Sequence, residues 1–322
     1  MISAMEMEMA EAVGTMDMAD MPEQRPATPA TAAETRARFF NSGNAFNIKL
    51  PPVPAAGFTA EPARALAGDT PTGFLPCDQS IAMATGFPAT TPLMLARYAV
   101  IAPGETLSAD FVATGSIWYV IRGAGTAAVQ AETITFRAGD VFLLPGAPAR
   151  LTAGDARVAL WLVTNEPQLA FDADRAPDAG RLPVAPVHYP AAEIARQIAL
   201  IYEHAPNEAT SGIALIFSSD KHAAARNIMP TLTLSLNTLP PGEHQRAHRH
   251  NSAAVTLVVG GEECHSMVDG VRCPWSPWAT LVTPPGAPHS HHNAGSTRAL
   301  FLIVQDGGLH YHARTMEFEF LE

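Results

Sequence analysis

The chain has 322 residues, enough for two domains with proper cores, and is 47% hydrophobic and 16% charged, with 28 prolines against 23 glycines. That balance suits a globular protein rich in strands and turns. A formal net charge of -11 repels phosphate backbones and argues against nucleic acid as a partner, and no apolar run is long enough to span a bilayer.

Residues 1–36 alternate Met, Glu and Ala and then pass through Pro22-Glu23-Gln24-Arg25-Pro26. With few aromatic or β-branched residues, this stretch is expected to be a disordered tail or a frayed helix. Its first residues, Met1-Ile2-Ser3-Ala4-Met5-Glu6-Met7-Glu8, are acidic where a secretory signal would be basic, so a cytoplasmic location is expected. Residues 37–90 are proline-rich and read as an irregular arm, with Phe74, Leu75 and Phe87 as core contacts.

An internal repeat follows. Pro92-Leu93-Met94-Leu95-Ala96-Arg97-Tyr98-Ala99-Val100-Ile101-Ala102-Pro103-Gly104-Glu105 lines up without a gap on Pro230-Thr231-Leu232-Thr233-Leu234-Ser235-Leu236-Asn237-Thr238-Leu239-Pro240-Pro241-Gly242-Glu243, and Pro145-Gly146-Ala147-Pro148 matches Pro285-Gly286-Ala287-Pro288. A β-domain has been duplicated. Gly123-Ala124-Gly125 lacks the third glycine and following helix of a dinucleotide fingerprint and reads as a turn. Between the copies, Pro190 to Tyr202 carries apolar residues at helical spacing after a proline, which predicts one amphipathic linker helix. Asp269-Gly270 predicts a two-residue hairpin turn that would set Cys273 opposite Ser266 rather than Cys264, so the three cysteines are expected to be free thiols.

Seven of the twelve histidines, His244, His248, His250, His265, His289, His291 and His292, fall between residues 244 and 292. His248 and His250 are two apart in a β-rich run, and alternate strand residues share a face with Cα atoms roughly 7 Å apart. His289 follows a Pro-Gly corner and can return on a neighbouring strand with a third nitrogen. Three neutral imidazoles with coordination positions left open suit a first-row divalent metal, with non-haem Fe(II) the nearest chemical relative. A structural zinc site would more often bring thiolates and close its fourth position. Carried forward, the alignment sets Asp110, Val112 and Ala149 against His248, His250 and His289, so the first copy is expected to hold no metal.

These residues resemble the cupin superfamily, whose jelly-roll barrels carry G-x5-H-x-H-x3,4-E-x6-G and G-x5-P-x-G-x2-H-x3-N. Gly242 through Gly261 follows the first pattern except for its glutamate, where Ala254 and Val255 stand; Pro284 through Asn293 follows the second, with Trp278 at its leading glycine. The Ala-His-Arg-His phrase, the missing glutamate and the Thr-Pro-Pro-x-x-x-His-x-His phrase are similar to the bicupin ring-cleaving dioxygenases of the gentisate, salicylate and 1-hydroxy-2-naphthoate group.

The resemblance implies an all-β bicupin: a tail over 1–36, an arm over 37–90, a metal-free barrel over 91–170, a linker with a helix over 171–210, and a metal-binding barrel over 211–322. It implies Fe(II) held by His248, His250 and His289, with a small aromatic hydroxy acid and O2 as reactants. Ring opening would fall between the carboxyl- and hydroxyl-bearing carbons. His291, on the same face as His289, would be the substrate's hydrogen-bond partner or proton carrier, and Asn237 would lie near the substrate.

Thr256 stands where relatives carry an arginine facing the substrate carboxylate, a charge-assisted bond worth roughly 1.5–3 kcal/mol. Arg246, with the parity of His248, is the expected replacement cation. Arg249, between the two ligands, is expected to point away from the site. Typical gentisate enzymes use the N-terminal barrel, whereas here the C-terminal one carries the ligands. The resemblance also implies a homo-oligomer, dimer or tetramer. The competing readings are another metal-dependent cupin oxygenase or isomerase, and a non-catalytic bicupin that binds a small ligand.

Overall fold

The computed structural model describes residues 16–204 and 212–321. The Met-rich start of the expected tail, residues 1–15, and linker residues 205–211 lie outside the described residues. The chain forms two compact units divided between Pro51 and Pro52.

In the first unit, residues 16–36 were expected to be disordered or a frayed helix and instead fold back on residues 39–44. The Asn41 and Asn44 side-chain amides donate to the Met18 and Met21 carbonyls, both at 2.9 Å, and Gln24 bridges Phe39. Thr31 caps a one-turn helix, Ala32–Thr35, by accepting from the Glu34 N–H at 3.2 Å. Side-chain-to-backbone bonds hold this unit, and hydrophobic patterning does not register them.

The second unit contains two barrels built to one plan. Before the first barrel lie β1 (Ala56–Phe58) and β2 (Gly73–Pro76). The first barrel comprises β3 (Leu95–Ile101), β4 (Thr106–Ala109), β5 (Gly115–Arg122), β6 (Ala124–Val129), β7 (Glu132–Arg137), β8 (Val141–Pro145), β9 (Ala149–Ala153) and β10 (Val158–Thr164). Before the second barrel come β11 (Val187–Tyr189) and β12 (Ile213–Phe217). The second barrel comprises β13 (Thr233–Leu239), β14 (His244–His250), β15 (Ala254–Gly260), β16 (Cys264–Val268), β17 (Val271–Pro274), β18 (Thr280–Thr283), β19 (His289–Asn293) and β20 (Ala299–Gln305), and β21 (Phe318–Phe320) closes the chain.

One sheet of the first barrel runs β11-β8-β5-β10-β3-β2, and its counterpart in the second runs β1-β18-β15-β20-β13-β12. The other two run β4-β9-β6-β7 and, read in the matching direction, β21-β14-β19-β16-β17. The strand preceding each barrel is exchanged: β1 pairs with β18 of the second barrel, and β11 with β8 of the first. The segment expected to be an irregular arm thus carries two strands and short helices at Ala60–Leu66 and Ser80–Met83. Strands of three and four residues are too short to show an alternating pattern.

β10 is buried along its whole length because both its faces are covered. Val158, Leu160 and Leu162 fill the first barrel, while Ala159, Trp161 and Val163 enter a core shared with Leu234, Val255 and Leu257 of the second. That shared core has one polar seam. Fully buried Thr280 accepts from Trp161 Nε1 at 2.9 Å and bonds the Tyr98 hydroxyl at 2.8 Å; Tyr98 also donates to the Trp278 carbonyl.

The linker helix forms over Ala191–Tyr202 and buries Ile194 and Ile198 against the same core. Asp269 and Gly270 adopt φ of 48° and 75° and close the β16–β17 hairpin, with Ser266 opposite Cys273. All three cysteines are free. Among the described residues no helix is long and apolar enough to cross a membrane.

Candidate metal centre and substrate cavity

The pleat divides the histidine cluster in two. His248 and His250 on β14 and His289 and His291 on β19 turn into the second barrel, each 4–5% exposed. His244, His292 and His265 stack on the outer face, with ring centroids 5.6 and 4.6 Å apart and ring planes within 11° and 9°. His248 lies directly opposite His289 in the antiparallel ladder, which brings their ring centroids to 4.2 Å, and His250 lies 4.7 Å from His289. One nitrogen from each of the three rings falls within 4.8 Å of the other two, and among the described residues no other group of ligating side chains converges in this way.

Main-chain carbonyls fix the tautomers of all three. His248 Nδ1 donates to the Arg246 carbonyl at 2.7 Å, His250 Nδ1 to the Ser252 carbonyl at 2.8 Å and His289 Nδ1 to the Ala287 carbonyl at 2.8 Å. A carbonyl only accepts, so each Nδ1 carries the proton and each Nε2 keeps a lone pair. Burial keeps the rings neutral: it lowers the pKa of His248, takes His250 down to about 4, and takes His289, with help from the facing His248 and His250, to about 3. Three neutral, pre-oriented imidazole lone pairs on a buried face, with no thiolate, are a donor set that fits a divalent metal ion.

His291 carries the opposite tautomer. Trp275 Nε1, which can only donate, bonds Ser266 Oγ at 2.8 Å, and Ser266 Oγ in turn lies 2.8 Å from His291 Nδ1. With its hydroxyl proton turned to Nδ1, Ser266 holds the His291 proton on Nε2. Burial, reinforced by the neighbouring histidines, lowers its pKa well below the ordinary value. The site thus combines three nitrogen acceptors with one neutral N–H donor.

The other residues singled out by sequence lie on β13, β14 and β15. Asn237 is 8% exposed on the inner face of β13 and donates to Ser235 Oγ at 2.8 Å. Thr256 is 2% exposed on β15. Arg249 points outward and pairs with Glu319 at 2.6 Å.

Arg246 does not follow the simple alternation. The pairing of β14 with β19 shifts between Gln245 and His248, so a bulge takes up one extra residue and Gln245, not Arg246, is the buried residue before the metal pair. The Arg246 guanidinium lies 3.9 Å from the centroid of the Phe320 ring. Arg246 still lines a cavity of about 300 Å³ together with Asn237, Gln245 and Phe301. Phe301 reaches the site, its ring centroid 4.9 Å from that of His291.

The bulge also corrects the gapless repeat. Ala109 pairs with Ala149 as His248 pairs with His289, so Ala109 rather than Asp110 stands in the place of His248. Two residues on, Phe111 packs into the core of the first barrel where His250 faces His248 and His289. Every ligand position of the first barrel is apolar.

Three features were not anticipated from the sequence. Gln245 Oε1 is buried with no hydrogen-bond partner among the described residues. Gln305 Nε2 lies 3.1 Å from His250 Nε2. Phe318, on the closing strand, stacks on His248 with centroids 5.1 Å apart. The alternation of β20 (Ala299, Phe301, Ile303) points Gln305 inward, which is the one signal that would have found it.

Residues 235–305 match the Cupin_2 family model, a cupin domain. With the strand order repeated in both halves, the fold is settled. The chain has a bicupin fold. This bicupin is similar to a gentisate 1,2-dioxygenase of Ralstonia sp., 32% identical over 111 residues that cover 34% of the chain and 31% of the relative. It is also similar to a 1-hydroxy-2-naphthoate 1,2-dioxygenase of Nocardioides sp. strain KP7, 35% identical over 80 residues that cover 24% of the chain and 21% of the relative. The matched stretches thus span less than a third of these curated relatives. The crystal structure of salicylate 1,2-dioxygenase from Pseudaminobacter salicylatoxidans superimposes with a TM-score of 0.71 at 15% identity, covering 88% of this chain and 92% of that one, a likeness of fold.

Proposed function

We propose that the second barrel is the active site of an Fe(II)-dependent dioxygenase that opens a salicylate- or gentisate-like hydroxybenzoate between its carboxyl- and hydroxyl-bearing carbons. The observation that carries this reading is the set of three buried imidazoles whose protons are all held on Nδ1 by carbonyls, beside a fourth whose proton is held on Nε2. The similar relatives act, by their names, on gentisate and 1-hydroxy-2-naphthoate.

In this reading His248, His250 and His289 hold the iron through Nε2. Bound there, Fe(II) supplies Lewis acidity and a redox-active template for the hydroxy acid and dioxygen. Three neutral ligands leave the site cationic, which favours an anionic chelating substrate. His291 donates its Nε2 proton as a hydrogen bond to a substrate oxygen, and its depressed pKa makes it a neutral donor rather than a stored proton.

Phe301 and Ile303 wall the barrel interior against water. Arg246 and Asn237 are the candidates for the substrate carboxylate, since both line a cavity whose Phe301 also packs on His291; Thr256 at the usual arginine position leaves room for ring substituents. Arg246→Ala that leaves the affinity for every carboxylated substrate unchanged removes Arg246 from this role. Both atoms of O2 enter the ring-opened product, so no external reductant is consumed. Free thiols at Cys77, Cys264 and Cys273 fit a reducing compartment such as the cytoplasm.

The test is oxygen uptake by anaerobically iron-loaded protein with gentisate, salicylate, halo- and nitrosalicylates and hydroxynaphthoate. Uptake with at least one of these acids, abolished in His248→Ala, is the expected result, and no uptake across the series contradicts the proposal. The neutral Thr256 favours one second reading, a metal-dependent cupin oxygenase or isomerase whose ligand carries no carboxylate; turnover confined to such ligands would select it.

A further inference from the structure

β20 ends on Gln305, whose side chain reaches into the barrel and places its amide nitrogen 3.1 Å from His250 Nε2. That nitrogen is the lone pair that His250 turns toward the metal position. Gln305 therefore touches the centre at the very atom a metal would use. In the ladder Gln305 is the register partner of Ala254 on β15, and Ala254 is a place where the cupin pattern carries its glutamate. A methyl group at 254 leaves space on the inner face, and the neighbouring strand fills it with a longer polar side chain. In the first barrel the corresponding end of β10 carries only Thr164, which is engaged with Glu166.

We propose that, before substrate binds, Gln305 is a fourth protein donor at the metal centre, supplying its amide oxygen from β20 in place of the carboxylate missing from β15 and giving up that position to the chelating acid and O2. This inference rests on the metal-centre reading above and extends it to a residue outside the His-x-His and Pro-x-x-x-His-x-His phrases. Amide oxygen and nitrogen exchange places by a half-turn about the terminal side-chain torsion, so the side chain that reaches His250 Nε2 at 3.1 Å can present its oxygen there once that nitrogen binds a metal and no longer accepts a hydrogen bond.

Room for the turn exists. Gln305 also borders a cavity of about 320 Å³ with Thr233, Ser235 and Arg226. An amide oxygen is a neutral donor, so replacing a glutamate by Gln305 keeps the net positive charge of the three-histidine set and preserves the site's attraction for an anionic chelator.

The experiment measures Co(II) affinity by competition with a chelator, and the visible Co(II) absorption, for the wild type, Gln305→Leu and Gln305→Glu, with circular dichroism to verify folding. Gln305→Leu is expected to weaken binding about tenfold and to change the absorption, because one oxygen donor is gone. Gln305→Glu is expected to bind at least as tightly as the wild type, since it restores an oxygen at the same reach with an added charge. A Gln305→Leu protein that binds as tightly as the wild type overturns the inference, as does one that binds weakly with an unaltered absorption or a Gln305→Glu protein no better than Gln305→Leu. A wild type that binds no Co(II) at all overturns the metal-centre reading and this inference together, whereas normal wild-type binding with indifferent Gln305 variants removes the inference alone.

Discussion

The two barrels share a strand order and differ in what fills them. In the first, Trp118 stacks on Phe142 at 5.7 Å and Phe142 on Phe136 at 5.3 Å, and the interior is a packed apolar core. In the second, small polar residues and histidines occupy matching places: Thr256 for Trp118, His289 for Ala149, His291 for Leu151, and His248 for Ala109 one bulge residue later. One container serves either as a core or as a site, and the choice is made by inward-facing residues and one inserted residue in β14. A barrel lined by unprotonated histidines gives up hydrophobic burial, and the shared interface with the aromatic barrel compensates through Trp161, Val163, Leu234 and Val255.

The largest effect that would break this contrast is loss of a ligand. His248→Ala or His289→Ala is expected to reduce metal affinity by more than the roughly 10- to 100-fold typical of outer partners, and to abolish oxygen uptake, with the fold retained by circular dichroism. Trp118→Ala, in the first barrel, is expected to cost about 3–5 kcal/mol in denaturant unfolding while the metal content of the folded protein stays at the wild-type level. A fall in metal content would show that the first barrel does more than support the second.

Thr256→Trp copies the first barrel's filling into the second. It is expected to abolish binding of aromatic acids by calorimetry while metal is retained, and to cost about 1–3 kcal/mol by overpacking. Thr280→Val strips the buried Trp161 N–H of its acceptor at the joint between barrels and is expected to cost about 1–3 kcal/mol with unchanged metal affinity. Arg249→Ala, on the outer face of the ligand strand, removes a solvent-exposed pair with Glu319 and is expected to change stability by at most about 1 kcal/mol, leaving oxygen uptake intact.

Much of this contrast is legible in the sequence, because a period of two puts His248 and His250 on one face and His289 and His291 on another. The linker helix is legible for the equivalent reason, a 3.6-residue period ending in buried Ile194 and Ile198. The bulge is not, since the repeat aligns without a gap through Glu243 and the extra residue enters only at Arg246 and Ala247, where no Gly or Pro marks it. That is why parity placed Arg246 where Gln245 lies.

The tautomer-setting partners are carbonyls of Arg246, Ser252 and Ala287, which no residue type announces. The exchanged strands β1 and β11, three residues each, owe their pairing to the other barrel's edge rather than to any pattern of their own.

Anomalous diffraction from crystals prepared anaerobically with Fe(II) tests the central claim most directly. One peak per chain, bonded to Nε2 of His248, His250 and His289 with nothing in the first barrel, is the result this account predicts. A peak on the outer stack of His244, His292 and His265, or no peak between the three inner rings, would contradict it.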